Sequence, residues 1–208
     1  MASPTPDVAR ARTATEPRER RTGAAPYVAV GALLGLAWGC GMRGFMRAVA
    51  GYDSSMSWSG TYAYLLLPAL LTGALFGWAE WMRRTGGRRG WRWLALAPLL
   101  FTAVLFSEGP LGPLGIFEDG VGGSAIGVPA LAMAGGYAVS GRGPLTGRIA
   151  CGLVFLVALL VWALTATDIG GPELSLRTPY GLWVALLYRS HLAVLAVGAS
   201  IPHRPVLR

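Results

Sequence analysis

The sequence predicts an all-α membrane protein, a six-transmembrane-helix bundle with both termini on the cytoplasmic side. Three observations predict it. The chain is 53% hydrophobic and only 13% charged, with a mean hydropathy of +0.49, where a soluble domain carries about 25% charged residues. Six apolar runs follow one another, at about 27–50, 61–80, 92–107, 122–139, 149–166 and 181–201. The arginines fall almost entirely on alternate connections between these runs.

Residues 1–25 are rich in Pro, Ala, Thr, Arg and Glu with no apolar period, the composition of a disordered cytoplasmic tail. They are not expected to be a signal peptide, because the run behind them is too long and lacks a small-residue cleavage site. The six-span domain is expected over 26–202, with a short cytoplasmic tail at 203–208. An α-helix rises about 1.5 Å per residue, so about 20 residues cross a hydrocarbon core about 30 Å thick.

The first run places Gly31, Gly35 and Gly39 on one face. Small residues at this spacing let helix backbones approach closely. The stripe serves either packing inside the bundle or docking of a partner membrane protein. The second run ends in "GWAEWMRR", where Glu80 is within a helical turn of Arg83 and Arg84. That spacing suits a local salt bridge or, less simply, a catalytic acid. Trp78, Trp81, Trp91 and Trp93 bracket the following turn as interfacial anchors. The third run is short. The fourth is rich in Gly and carries Pro129, which predicts a kinked or re-entrant segment.

Charge sets the orientation. Arg10, Arg12, Arg18, Arg20 and Arg21 precede the first run. Arg83, Arg84, Arg88, Arg89 and Arg92 lie between the second and third, Arg142 and Arg148 between the fourth and fifth, and Arg204 and Arg208 after the sixth. The other connections hold Arg177 together with Asp53, Glu108, Glu118, Asp119, Asp168 and Glu173. Basic residues stay cytoplasmic, so both termini are predicted inside.

The net charge of +8 does not predict a nucleic-acid partner, because the arginines share no soluble face. The predicted partner is the bilayer. Cys40 and Cys151 lie within apolar runs and read as small buried packing residues. There is no G-x-x-x-x-G-K, H-E-x-x-H or C-x-x-C, and only two histidines, so neither a metal nor a cofactor is expected.

Arg43, Arg47 and Arg189 lie within predicted spans. An arginine at a helix centre costs roughly 2.5–3.5 kcal/mol on insertion scales, so each needs a reason. Arg43 and Arg47 are four residues apart and share a helix face. Arg189 falls at a similar depth on an antiparallel helix, with His191 two residues on. Asp53, Glu118 and Asp119 lie at the same level. A helix starting near 121 would hold the last two at its positive end. The expected site is an outward-facing Arg/carboxylate pocket, with ligand contacts from Arg43, Arg47, Asp53, Trp58, Glu118, Asp119, Arg189 and His191. Ser59 and Thr61 would stand beside Trp58 at its rim. An ion-pair network that only fixes packing is the competing reading. A ligand there would carry an anionic group or be amphipathic, because arginine forks match carboxylate and phosphate oxygens.

The stretch "RGFMRAVAGYDSSMSWSGT" (43–61) and the ending "SIPHRP" (200–205) resemble segments of uncharacterised actinobacterial multi-pass membrane proteins. The resemblance implies a bacterial inner-membrane location and no particular activity.

Three functions fit this sequence. The first is small-molecule binding or a transport-associated role, similar to the ligand-capturing subunits of modular vitamin importers. The second is a membrane-embedded enzyme acting on an isoprenoid, resembling terpene cyclases, with Glu80, Asp53, Glu118 or Asp119 as the acid. The third is an accessory role beside a membrane partner protein.

Overall fold

The computed structural model describes residues 23–51, 54, 56–106 and 121–207, and among these every regular element is helical. Helix α1 (Ala24–Ala50) runs to a turn at Gly51. Trp58–Leu66 winds as π-helix and continues into α2 (Leu67–Arg84). Ser57 caps this entry, its Oγ accepting from Gly60 N at 2.9 Å. Pro68, at the start of α2, has no N–H and its ring crowds the carbonyl four residues back, which accounts for the wider turns upstream.

Trp91–Phe106 forms a 3-10 helix with Pro98 inside. Helix α3 (Val121–Val139) is continuous through the buried Pro129, so its backbone traces one helix and not a re-entrant hairpin. Helix α4 (Leu145–Gly170) and helix α5 (Pro179–Ser200) complete the bundle, followed by a 3-10 turn at Ile201–His203. Thr178 caps α5 by accepting from Gly181 N at 2.9 Å.

Four of these segments are long and apolar enough to cross a membrane: Ala24–Ala50, Trp58–Arg84, Leu145–Gly170 and Pro179–His203. The surface they leave uncovered is apolar as well. Along α4, Leu153, Leu156, Leu160 and Leu164 are all exposed, which water would penalise and hydrocarbon does not.

The arginine-rich turns gather at one end. Leu207 N donates to Arg83 O at 3.1 Å. His203 meets the Tyr137 ring edge-on at 5.5 Å, and Arg148 Nε donates to Ala138 O at 3.0 Å. At the opposite end Tyr180 Oη donates to Ala48 O at 2.8 Å.

The tightest pairing is α1 against α2. Gly31 and Gly35 face Gly73, Gly77 and Ala69 so closely that a Cβ on Gly73 would sit 2.8 Å from Gly35 Cα. Carbonyls of one helix lie over glycine Cα atoms of the other, a geometry that also permits weak Cα–H···O contacts. The glycine stripe is thus packed inside the bundle, as one of its two expected roles required. The remaining core fills with aromatics. Tyr188 stacks between Phe45 (5.2 Å) and Trp162 (4.6 Å).

Candidate functional site

Arg43 lies on the buried face of α1 with Trp38, Met42 and Phe45, and only 9% of it is exposed. Its Nη1 donates to Ser54 Oγ at 2.7 Å and its Nε to Thr61 Oγ1 at 3.4 Å. Arg47, one turn on and exposed, donates from Nη1 to Ser54 O at 3.0 Å. The two guanidiniums therefore meet at one residue of the α1–α2 connection and tie it to α1. Among the described residues no buried side-chain nitrogen or oxygen lacks a hydrogen-bond partner. The depth of Arg43 is thus compensated locally, as a buried charge requires.

The other predicted site residues divide. Trp58 is 81% exposed and packs on Tyr62 at 4.7 Å, a rim position. Asp53, Glu118 and Asp119 lie outside the described residues. Arg189 does not join Arg43. It is exposed on α5, one residue past the buried Tyr188 and about 100° around the helix, and its side chain makes no hydrogen bond or ion pair among the described residues. Equal depth brings two side chains together only if both point inward.

His191 occupies a different place. Its Nδ1 lies 2.7 Å from Leu187 O. Its ring is 5.9 Å from Trp38, whose Nε1 donates to the His191 carbonyl at 2.8 Å. Gly41 makes room for the imidazole, since a Cβ there would fall on the ring.

Glu80 is held on both oxygens. Arg83 donates Nε to Oε2 at 2.7 Å and Nη2 to Oε1 at 2.8 Å, and Arg84 Nε reaches Oε1 at 2.6 Å. This is the local salt-bridge geometry that its sequence spacing suggested. Two further expectations change. Cys40 is exposed and Cys151 half-buried, both as free thiols, so neither is a fully buried packing residue. Trp91 sits in an apolar cluster with Ala79 and Met82, while Trp78 and Trp93 are exposed as anchors would be.

A second site was not read from the sequence. A cleft of about 590 Å³ opens sideways between α1, α2 and α5. Gly31, Gly35, Gly73 and Gly77 form its bare floor. Val30 and Leu34 wall one side and Val194 and Val197 the other. Phe76, Phe101 and Trp38 close it inwardly, and Tyr27, Glu80 and Ile201 mark its arginine-rich end. Apart from Thr72, whose Oγ1 is turned to Ala97 O at 3.2 Å, the body of the cleft is hydrocarbon and aromatic. The readable signal was the second small-residue stripe, Ala69, Gly73 and Gly77, at the same four-residue spacing as the first. Two such stripes predict a seam, and a seam without side chains leaves a furrow along its edge.

Comparison of the chain with protein-family models, with curated proteins and with solved structures found no match.

Proposed function

We propose that this chain is a six-span protein of the bacterial inner membrane, with both termini cytoplasmic, and that it binds a lipid-soluble small molecule in the lateral cleft in a transport-associated or accessory role. Two shorter segments support the span count. The 16 residues of the 3-10 helix rise about 2.0 Å each, so they reach about 32 Å, enough for the hydrocarbon core. The 19 residues of α3 reach about 28 Å. The collection of arginines at one end supports the orientation.

The cleft carries the functional reading. Its volume lies within the range of about 300–1,000 Å³ typical of ligand pockets. It opens toward lipid and not toward an aqueous end, so its occupant enters from the bilayer. Binding is favoured over cyclase chemistry, because the one acid at the cleft among the described residues, Glu80, already gives both oxygens to Arg83 and Arg84. An acceptor committed in this way is not a proton donor.

An outward arginine pocket for an anionic ligand is the second reading. What favours it is the meeting of Arg43 and Arg47 at Ser54.

Topology is tested by reporter fusions after residues 55, 86, 115, 144 and 172, which should alternate starting outside. Two neighbouring fusions on the same side would end the six-span reading. The cleft is tested by purification in mild detergent and mass spectrometry of co-purified small molecules. Val194→Trp, which fills the cleft from an exposed wall, should abolish an apolar species present with the parent chain. Identical spectra would refute the cleft as the binding site.

A further inference from the structure

The turn between α2 and the 3-10 helix is built from "TGGRRGWRW" (85–93). Its backbone reverses through three glycines with positive φ: Gly86 at 96°, Gly87 at 72° and Gly90 at 80°. Such angles favour glycine, and they let the six residues 85–90 reverse the chain. Backbone bonds fix the reversal, from Gly87 N to Met82 O at 2.7 Å, from Trp91 N to Arg88 O at 3.2 Å and from Trp93 N to Gly90 O at 3.0 Å. Trp91 is driven into the cluster of Ala79 and Met82 and anchors the turn from below.

The consequence is a shallow, open surface cavity, of about 560 Å³, lined by Arg88, Gly90, Trp91, Arg92 and Trp93. Arg88 is held over the Trp81 ring at 5.1 Å, so one of its two guanidiniums is pre-positioned by stacking. Among the described residues no carboxylate lines the cavity. The nearest acid along the chain, Glu80, is engaged by Arg83 and Arg84. Trp93 is 75% exposed at the rim, where an indole settles at the headgroup level of a bilayer.

We propose that this cavity binds the phosphate headgroup of an anionic phospholipid of the cytoplasmic leaflet. Two arginine forks match phosphate oxygens. The cavity is positive on its lining, and its mouth opens beside an exposed tryptophan, where headgroups and not free anions are concentrated. The site is separate from the lateral cleft and rests on the proposed function for its membrane placement and its cytoplasmic orientation.

The test uses the full chain in nanodiscs holding equal phosphatidylglycerol and phosphatidylcholine, with retained lipids counted by native mass spectrometry. The parent should retain phosphatidylglycerol preferentially. Arg88→Gln and Arg92→Gln should each lower that retention about fivefold, the effect of one surface arginine on an anionic lipid. Arg88→Lys/Arg92→Lys, which keeps the charge but loses the planar forks, should retain more phosphatidylglycerol than the glutamine variants and less than the parent, and retention equal to the parent's would overturn recognition by the forks. Equal retention of the two lipids by the parent would overturn the proposal, as would unchanged retention in the glutamine variants. Release of the lipid by millimolar inorganic phosphate would make the site a free-phosphate site and overturn the lipid assignment. Val194→Trp should leave the preference intact. Its loss there would put the lipid in the lateral cleft instead.

Discussion

Helix α1 treats two of its neighbours, α2 and α5, in opposite ways along its first half. Toward α2 it presents glycine to glycine, and no space remains between the backbones. Toward α5 the same half of α1 presents Leu34 and Val30, and a cleft of about 590 Å³ stays open, closed only beyond it where Trp38 and Phe45 meet His191 and Tyr188. Composition alone does not separate the two faces, since both are apolar. The difference lies in where the Cβ atoms are missing. In lipid no hydrophobic gain rewards helix association, so packing contact decides which faces close. Paired glycines give contact along the whole seam. Val30, Leu34, Val194 and Val197 stay more than half exposed along the cleft, so no such contact forms there and the space is left open.

The largest effect should come from breaking the closed face. Gly73→Leu would drive a side chain into the Gly31 and Gly35 backbone, where even a Cβ has no room. Backbone cannot rotate away as a side chain can, so the cost should be about 3 kcal/mol or more, the upper range for overpacked cores. Fluorescence-detected size exclusion should show little monodisperse protein. A folded variant with the parent's melting temperature would mean that the seam is not the fold's main contact.

Arg43→Ala tests a different kind of closure at the same helix. It removes hydrogen bonds to Ser54 and Thr61, each from a charged donor. A loss of about 1.5–3 kcal/mol is expected. It should be read as a lower melting temperature together with faster proteolysis near residue 54. Arg43→Lys should recover only part of the loss, because one ammonium cannot serve both directions that the fork reaches. Equal stability of all three chains would remove Arg43 as the anchor of that connection.

Much of this architecture was legible because it depends on periodicity and length. The helical segments lie where the apolar runs put them, and the Glu80 pairing followed from spacing alone. What was not legible needed a second helix. The stripe Gly31, Gly35 and Gly39 was visible, but its partner Ala69, Gly73 and Gly77 gains meaning only when α1 and α2 are known to be adjacent. Arg43 and Arg189 looked equivalent because both sit deep in apolar runs. Rotation about the helix axis distinguishes them, and for α5 it is fixed by Tyr188 packing between Phe45 and Trp162. The weak amphipathicity of a lipid-embedded helix hides that rotation, since the lipid face and the core face carry the same residue types.

A smaller effect is expected where the cleft meets the arginine-rich end. Glu80→Gln keeps the shape and removes the charge that Arg83 and Arg84 share. Because this cluster is partly solvated, its melting temperature should fall by no more than about 2 °C. The clearer change should be looser docking of the C-terminal segment, since Arg83 also holds that segment, donating from Nη1 to Pro205 O at 3.4 Å and accepting from Leu207 N at 3.1 Å. Faster hydrogen exchange at residues 205–207 would show it. Unchanged exchange there would uncouple the ion pair from the tail.

The smallest effect should come from the open face itself, and it is the sharpest test of the contrast. Leu34 and Gly35 are adjacent in sequence, yet one walls the cleft and the other lies on its floor against Ala69 and Gly73. Leu34 is 66% exposed, so Leu34→Ala removes little packing and should change stability by no more than about 0.5 kcal/mol. Gly35→Ala adds one methyl to the seam. A glycine-to-alanine change inside a helix would by itself gain roughly 0.5–1 kcal/mol, so net destabilisation of Gly35→Ala would mean that the steric cost exceeds that gain. The expected outcome is a lowered melting temperature for Gly35→Ala and an unchanged one for Leu34→Ala. The reverse order would place the tight contact of α1 on its α5 side and exchange the roles assigned to its two faces.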